Sequence, residues 1–289
     1  MAPPRPPGYV PPPWPSLGDV GRTLRAVGTD ILPAFARLGR ERAPSTTSEE
    51  GLRAAKIAFG RALCHLGVEV SVLCSEALPR EGGVVLMWNQ ESHLDHLVLP
   101  VAIPRPCFSL YNNAIARFPI YGAHMRASGH VRVDRNDEAQ WRPAIADAAA
   151  RVREGECVLV SPEGTRSWDT RLLPMKRGAM LLATQSARPT VCVTVIGGHD
   201  RLPRGSAVVR SGALRVVFSE PIAPGDDPEA LAVRVAGTFT RLKAEHALPA
   251  GLRSAPGRTR AGRAGSAVPG CAAVARPRHA SGRTVRAAA

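Results

Sequence analysis

The run CVLVSPEGTRS, residues 157–167, decides the architecture: four apolar residues suited to a buried strand break at Pro162, Glu163 and Gly164 into a short polar turn. The same event recurs where residues 84–88, all apolar, give way to Asn89, Gln90, Glu91 and Ser92. Working outward, further strand-like runs fall at 68–73, 107–110, 131–133, 190–196 and 214–218, alternating with helical patterns at 93–101, 114–127, 138–153, 177–187 and 228–246. This alternation predicts an α/β domain over residues 68–249, with a mostly parallel central sheet flanked by helices, because parallel neighbours need crossover connections.

The flanks read differently. Residues 17–42 and 52–66 carry apolar side chains at helical spacing and predict an amphipathic helical pair within a region 17–67. Eight of the first sixteen residues are proline, a composition that favours an extended chain without a packed core, so 1–16 is expected to be a disordered or tethering segment. Residues 250–289 are dominated by Ala, Gly, Arg, Pro and Ser and are expected to form a disordered basic tail.

Composition narrows the function classes. A hydrophobic content of 44% excludes a wholly disordered chain. The formal charge of +14 invites a nucleic-acid reading, but eight arginines and no acid lie in residues 251–289. Nucleic acid is therefore not the expected partner, and a tail of this kind suits an anionic membrane surface as well. No apolar run approaches the roughly 18 residues of a spanning helix, and the proline-led N-terminus does not read as a secretory signal. The expectation is a cytoplasmic protein held peripherally at the inner face of the membrane. Six cysteines without a C-x-x-C pair read as reduced core residues.

Two segments carry chemistry. The first, Asn89 to His96, sits where a strand meets a helix, a common ligand position in open α/β sheets. Ser92 and Asp95 also fit a capping box, which would stabilise a helix start without catalysis. The second runs from Ser161 to Ser167; its turn amides, Thr165 and Arg166 suit a phosphate, since guanidinium presents a planar donor fork. His93 and His96 lack a third ligand of suitable spacing, so no metal is expected. A G-x-S-x-G elbow, a P-loop and G-x-G-x-x-G are all absent, which argues against serine hydrolases and nucleotide enzymes.

Across residues 68–221 the chain resembles the lysophosphatidic acid and glycerol-3-phosphate acyltransferase superfamily. Asn89, Ser92 and Asp95 match its Asn-His-x-Ser-x-x-Asp motif, Phe118 to Gly122 and Gly129 to Arg135 its second block, and Pro162 to Ser167 its third. Lys176 to Ala179 and the strand at 190–196 resemble its later blocks. The resemblance implies an O-acyltransferase that moves a fatty acyl group from acyl-CoA or acyl-carrier protein (acyl-ACP) to a lysophospholipid of the 1-acylglycerol-3-phosphate type or to glycerol phosphate, in phospholipid biosynthesis, with no bound cofactor. It further implies a substrate site built from Asn89, Ser92, Arg135, Glu163, Gly164, Thr165, Arg166 and Ser167. One departure stands out: Gln90 replaces the family's general-base histidine and has no proton-accepting nitrogen. The sequence offers His93 as a relocated base with Asp95 as its orienting partner. The alternative is a non-catalytic lipid or acyl-chain binding pseudoenzyme of the same fold.

Overall fold

In the computed structural model, which describes residues 4–38, 47–117, 119–134 and 137–249, the apolar runs become strands of one seven-stranded sheet. It is preceded by α1 (Leu17–Ala26), a π-helical turn (Val27–Ile31), α2 (Leu32–Leu38) and α3 (Glu49–His65). The chain continues through β1 (Val68–Leu73), β2 (Val84–Trp88), α4 (Asp95–Ala102), β3 (Phe108–Asn112), α5 (Asn113–Ala116), α6 (Pro119–Ala127) and β4 (Val131–Val133). It ends in α7 (Glu138–Arg153), β5 (Cys157–Val160), α8 (Arg177–Ser186), β6 (Thr190–Ile196), α9 (Gly198–Arg201), β7 (Gly212–Phe218) and α10 (Pro228–Glu245).

The strands lie in the order β1-β7-β6-β2-β5-β3-β4, with every neighbouring pair parallel except β6 and β7. Strand alternation sends Leu86 and Trp88 to one face, under Phe59 of α3 and Leu97 of α4. It sends Val85 and Met87 to the other, against Ile145 of α7, Leu182 of α8 and Val235 of α10. Burial on both faces explains why β2, β5 and β6 are buried at every residue. Because β6, β2 and β5 are adjacent and parallel, their C-terminal ends sit side by side, and both chemical segments emerge there.

Some expectations change. The helix expected over 17–42 is interrupted by the π-helical turn, and the one expected over 114–127 is divided into α5 and α6 ahead of Pro119. Cys64 and Cys74 are exposed, whereas Cys157 and Cys192 are buried as expected. Residues 4–16 of the proline-rich segment, expected to be disordered or tethering, lie docked on the domain. Arg210 donates through Nε and Nη2 to the Pro13 carbonyl at 3.1 and 2.6 Å, and Tyr9 meets Trp168 edge-on with ring centroids 5.9 Å apart. Proline chains lose little entropy on docking, so a few contacts suffice. Ser16 then closes the segment as the N-cap of α1 in a capping box with Asp19. The tail from residue 250 onward lies outside the described residues.

The first helix is turned inside out. Asp19 and Thr23 are buried, accepting from the backbone of Ser211 and Val209, while Leu17 and Leu24 are 91% and 70% exposed.

Candidate active site

Several motif side chains are spent on holding the three strand ends together. Asn89 is fully buried; its Nδ2 donates to the Val195 carbonyl at 2.8 Å and its Oδ1 accepts from the Val195 amide at 2.7 Å, which locks β2 to β6. Glu163 accepts from the Gln90 amide at 2.9 Å and from the Leu173 amide at 2.7 Å. Burial raises its carboxyl to about 7 despite those two donors. Ser167 donates its amide to the Gln90 carbonyl at 3.2 Å. Asn89, Glu163 and Ser167, expected to contact substrate, thus brace the site through backbone groups.

The capping arrangement is present at the start of α4. Ser92 Oγ accepts from the Leu94 amide at 3.0 Å and donates to the Leu202 carbonyl at 2.8 Å, while Asp95 Oδ2 accepts from the Ser92 amide at 3.2 Å. Asp95 is fully buried, its carboxyl is pushed well above the usual range by desolvation, and its Oδ1 has no hydrogen-bond partner among the described residues. No hydrogen bond joins Asp95 to His93, so the expected orienting pair is not formed directly. Asp95 instead shapes the turn that presents His93.

His93 is exposed, and its ring centroid lies 6.1 Å from that of half-buried His96. Loss of hydration, then the charges of Arg166, His96 and Arg204, hold the His93 imidazole down at about 4. Burial followed by Arg166 does the same to His96, also about 4. His96 leads into an apolar pocket whose walls include Phe35 of α2, Phe59 of α3, Trp88, Ile103 and Leu159. Gly164 adopts the positive φ of +68° that the turn requires, Thr165 and Arg166 are half-buried, and the Arg166 charge acts on both imidazoles. Arg135 lies outside the described residues. Among the described residues no group of acids, histidines and cysteines is arranged to hold a metal ion.

The family described as Acyltransferase matches residues 69–196. A 1-acyl-sn-glycerol-3-phosphate acyltransferase from Cocos nucifera is 29% identical over 143 residues, covering 49% of this chain and 46% of the relative. One from Saccharomyces cerevisiae is 29% identical over 161 residues, covering 55% and 53%. The crystal structure of the 1-acyl-sn-glycerophosphate acyltransferase PlsC from Thermotoga maritima superposes with a TM-score of 0.66 at 20% identity, over 80% of this chain and 98% of that one. Residues 69–196 thus resemble the Acyltransferase family, and the fold resembles that of PlsC. It spans about half the length of the curated relatives it matches.

Two of the site's braces come from beyond the matched residues and were not legible in any motif. Lys243 of α10 donates to buried Glu91 and to the Thr170 carbonyl, tying the last helix to the first chemical segment. Arg204, in the loop after α9, donates to the Arg166 carbonyl and stacks over the Trp168 ring, its Cζ 4.8 Å from the centroid. Trp168 directly follows the third motif, and its position there was the one available signal.

Proposed function

We propose that this protein transfers a fatty acyl group from a thioester donor, acyl-CoA or acyl-ACP, to the free hydroxyl of 1-acylglycerol 3-phosphate or glycerol phosphate. The observation that carries this reading is a neighbourhood of three environments: an apolar pocket lined in part by His96, the His93 ring 6.1 Å from that of His96, and the Arg166 guanidinium whose charge acts on both. An acyl chain would fill the pocket, which places its thioester carbonyl beside His93, and the acceptor phosphate would meet Arg166. His93 takes the proton from the acceptor hydroxyl as its oxygen adds to the carbonyl. Collapse of the tetrahedral adduct breaks the carbon–sulfur bond, and the departing thiolate recovers the proton, leaving an ester and a free thiol. The test is incubation of purified protein with labelled acyl-CoA or acyl-ACP and a panel of lysophospholipids and glycerol phosphates. Labelled ester with none of these acceptors overturns the reading.

Gln90 supports a second reading, a lipid-binding protein without turnover. It predicts saturable binding of acyl donor and acceptor, with no labelled product from any combination.

Arg166→Ala is expected to weaken acceptor binding by roughly tenfold, the range for loss of a charge-assisted hydrogen bond, with the thermal midpoint shifted little. Acceptor titration beside thermal unfolding separates the two; a lowered midpoint with unchanged affinity assigns Arg166 to structure.

Peripheral membrane association belongs to the same proposal. No helix among the described residues is long and apolar enough to cross a membrane. Trp14, Leu17 and Leu24 nevertheless point outward, at 96%, 91% and 70% exposure. Placing this face in the headgroup layer would bury it beside the bilayer that supplies the acceptor. Flotation with anionic vesicles should fall about tenfold or more for the double variant Trp14→Glu, Leu17→Glu, since each side chain is worth about 1.5–3 kcal/mol when buried. Unchanged flotation would place the contact elsewhere.

A further inference from the structure

Among the described residues, the arginines around the third motif stand without the carboxylate partner that six others in the fold have. Arg22, Arg61, Arg142, Arg151, Arg171 and Arg241 each have a carboxylate within 4.0 Å. Arg166 and Arg204 have no such partner among the described residues, yet they lie close enough for Arg204 to lower the Arg166 pKa, after desolvation. The carboxyl that acts on Arg166 from nearby is Asp95, which is buried and shifted towards its neutral form. Both guanidiniums also bear on His93. Two half-buried cations held side by side without a counter-charge repel each other, and an anion placed between them would relieve that repulsion.

Arg204 is fixed in this position rather than drifting into it. Its Nη1 donates to the carbonyl of Arg166 itself, and its guanidinium lies over Trp168. One nitrogen is used in that contact, and a guanidinium has five N–H donors. The loop that carries it is in turn fastened by Ser92 Oγ, which donates to the Leu202 carbonyl at 2.8 Å. The chain therefore places a second cation against the third motif from outside the residues that the family matches.

We propose that Arg204 is a specificity-determining residue that binds the acceptor phosphate together with Arg166, and that the pair selects a phosphate monoester over a diester. This rests on the acyltransferase reading of the same site. A monoester carries about −1.5 to −2 charges near pH 7 and three free oxygens, enough for two guanidiniums. A diester carries one charge and offers fewer terminal oxygens, so it satisfies one guanidinium well and the second poorly.

The experiment is calorimetric titration of the full chain with three soluble probes: glycerol 3-phosphate as monoester, glycerophosphoglycerol as diester and glycerol as neutral control. Wild type is expected to prefer the monoester. Arg204→Gln keeps a polar side chain but lacks the charge; it should weaken monoester binding about tenfold and diester binding far less, so that the preference collapses. Arg204→Lys should recover a large part of it. Arg142→Gln removes one exposed charge, that of the surface ion pair with Glu138 on α7, and controls for general electrostatic attraction. A thermal midpoint for each variant separates lost charge from lost folding. Equal loss for both phosphates, no loss in Arg204→Gln, or failure of Arg204→Lys to recover monoester binding in a folded variant overturns the proposal. If Arg166→Gln weakens monoester binding and Arg204→Gln does not, Arg204 alone is misassigned. If wild type binds neither phosphate, the acceptor-site reading falls with it.

Discussion

His93→Ala is expected to lower kcat by about 100-fold or more while the acceptor KM changes little, the pattern for losing a general base that does not hold the substrate. The imidazole is exposed beside His96 and within reach of the Arg166 charge, and its value of about 4 leaves it neutral throughout the neutral range. A base must be unprotonated to act, so activity should stay level as pH falls through 6 and decline only on approach to about 4. An ordinary imidazole, near 6.5, would begin to fail about two units earlier. The same low value makes His93 a weak base, and no carboxylate hydrogen-bonds to its ring, so wild-type turnover is expected to be slow. Gln90→His should then raise it, by about tenfold or more, because an imidazole introduced there would find a buried Asp95 oxygen that lacks a hydrogen-bond partner among the described residues. Steady-state kinetics of the two variants between pH 4 and 8 decide the matter. An unchanged kcat in His93→Ala removes His93 from the mechanism; a gain in Gln90→His from an inactive wild type supports the binding-only reading.

How much of this was legible in the sequence depends on the range of the interaction. The strands were, because residues 84–88, 157–160 and 190–196 are apolar without interruption and end at polar turns. Helix α4 starts at Asp95 rather than at residue 93 because Ser92 diverts the Leu94 amide to its hydroxyl and forms a turn first. The identities of Asn89 and Glu163 were legible but not their partners, since an amide or a carboxyl announces hydrogen bonding without saying to what. The spacing of Asn89 from Val195 or of Glu163 from Gln90 carries no local signal. The docking of the proline-rich segment had no local signal for a related reason: composition reports that 4–16 cannot build a core of its own, and says nothing of a core already present for it to lie on. Arg204 and Lys243 belong to loops and helices with no motif, and only the folded chain brings them to the site.

Lys243→Met is expected to destabilise the protein by about 3–5 kcal/mol, the range for removing one partner of a buried ion pair. Glu91 is 2% exposed, and its carboxyl is already raised by desolvation even with the ammonium of Lys243 opposing the shift. Asp95 and Glu163 lie near enough that each is raised further by the charge of Glu91. Without Lys243, three buried carboxyls would crowd the strand ends, and the Thr170 carbonyl would lose its donor as well. The pH dependence carries the signature of this cause. A carboxyl raised in the fold above its unfolded value of about 4.3 stabilises the protein fully only below that value, and the contribution is lost as pH rises towards the folded value. The deficit of Lys243→Met should therefore be small near pH 4 and grow through the neutral range. Replacing both partners, Glu91→Gln with Lys243→Met, should recover most of the loss, because no uncompensated charge is left behind. Urea unfolding of the single and double variants at pH 4.5 and 7.5 tests this. A deficit under about 1 kcal/mol at pH 7.5, or one that does not shrink in acid, would mean that the pair contributes little and that α10 is held to the site by its apolar residues Val235 and Phe239 instead.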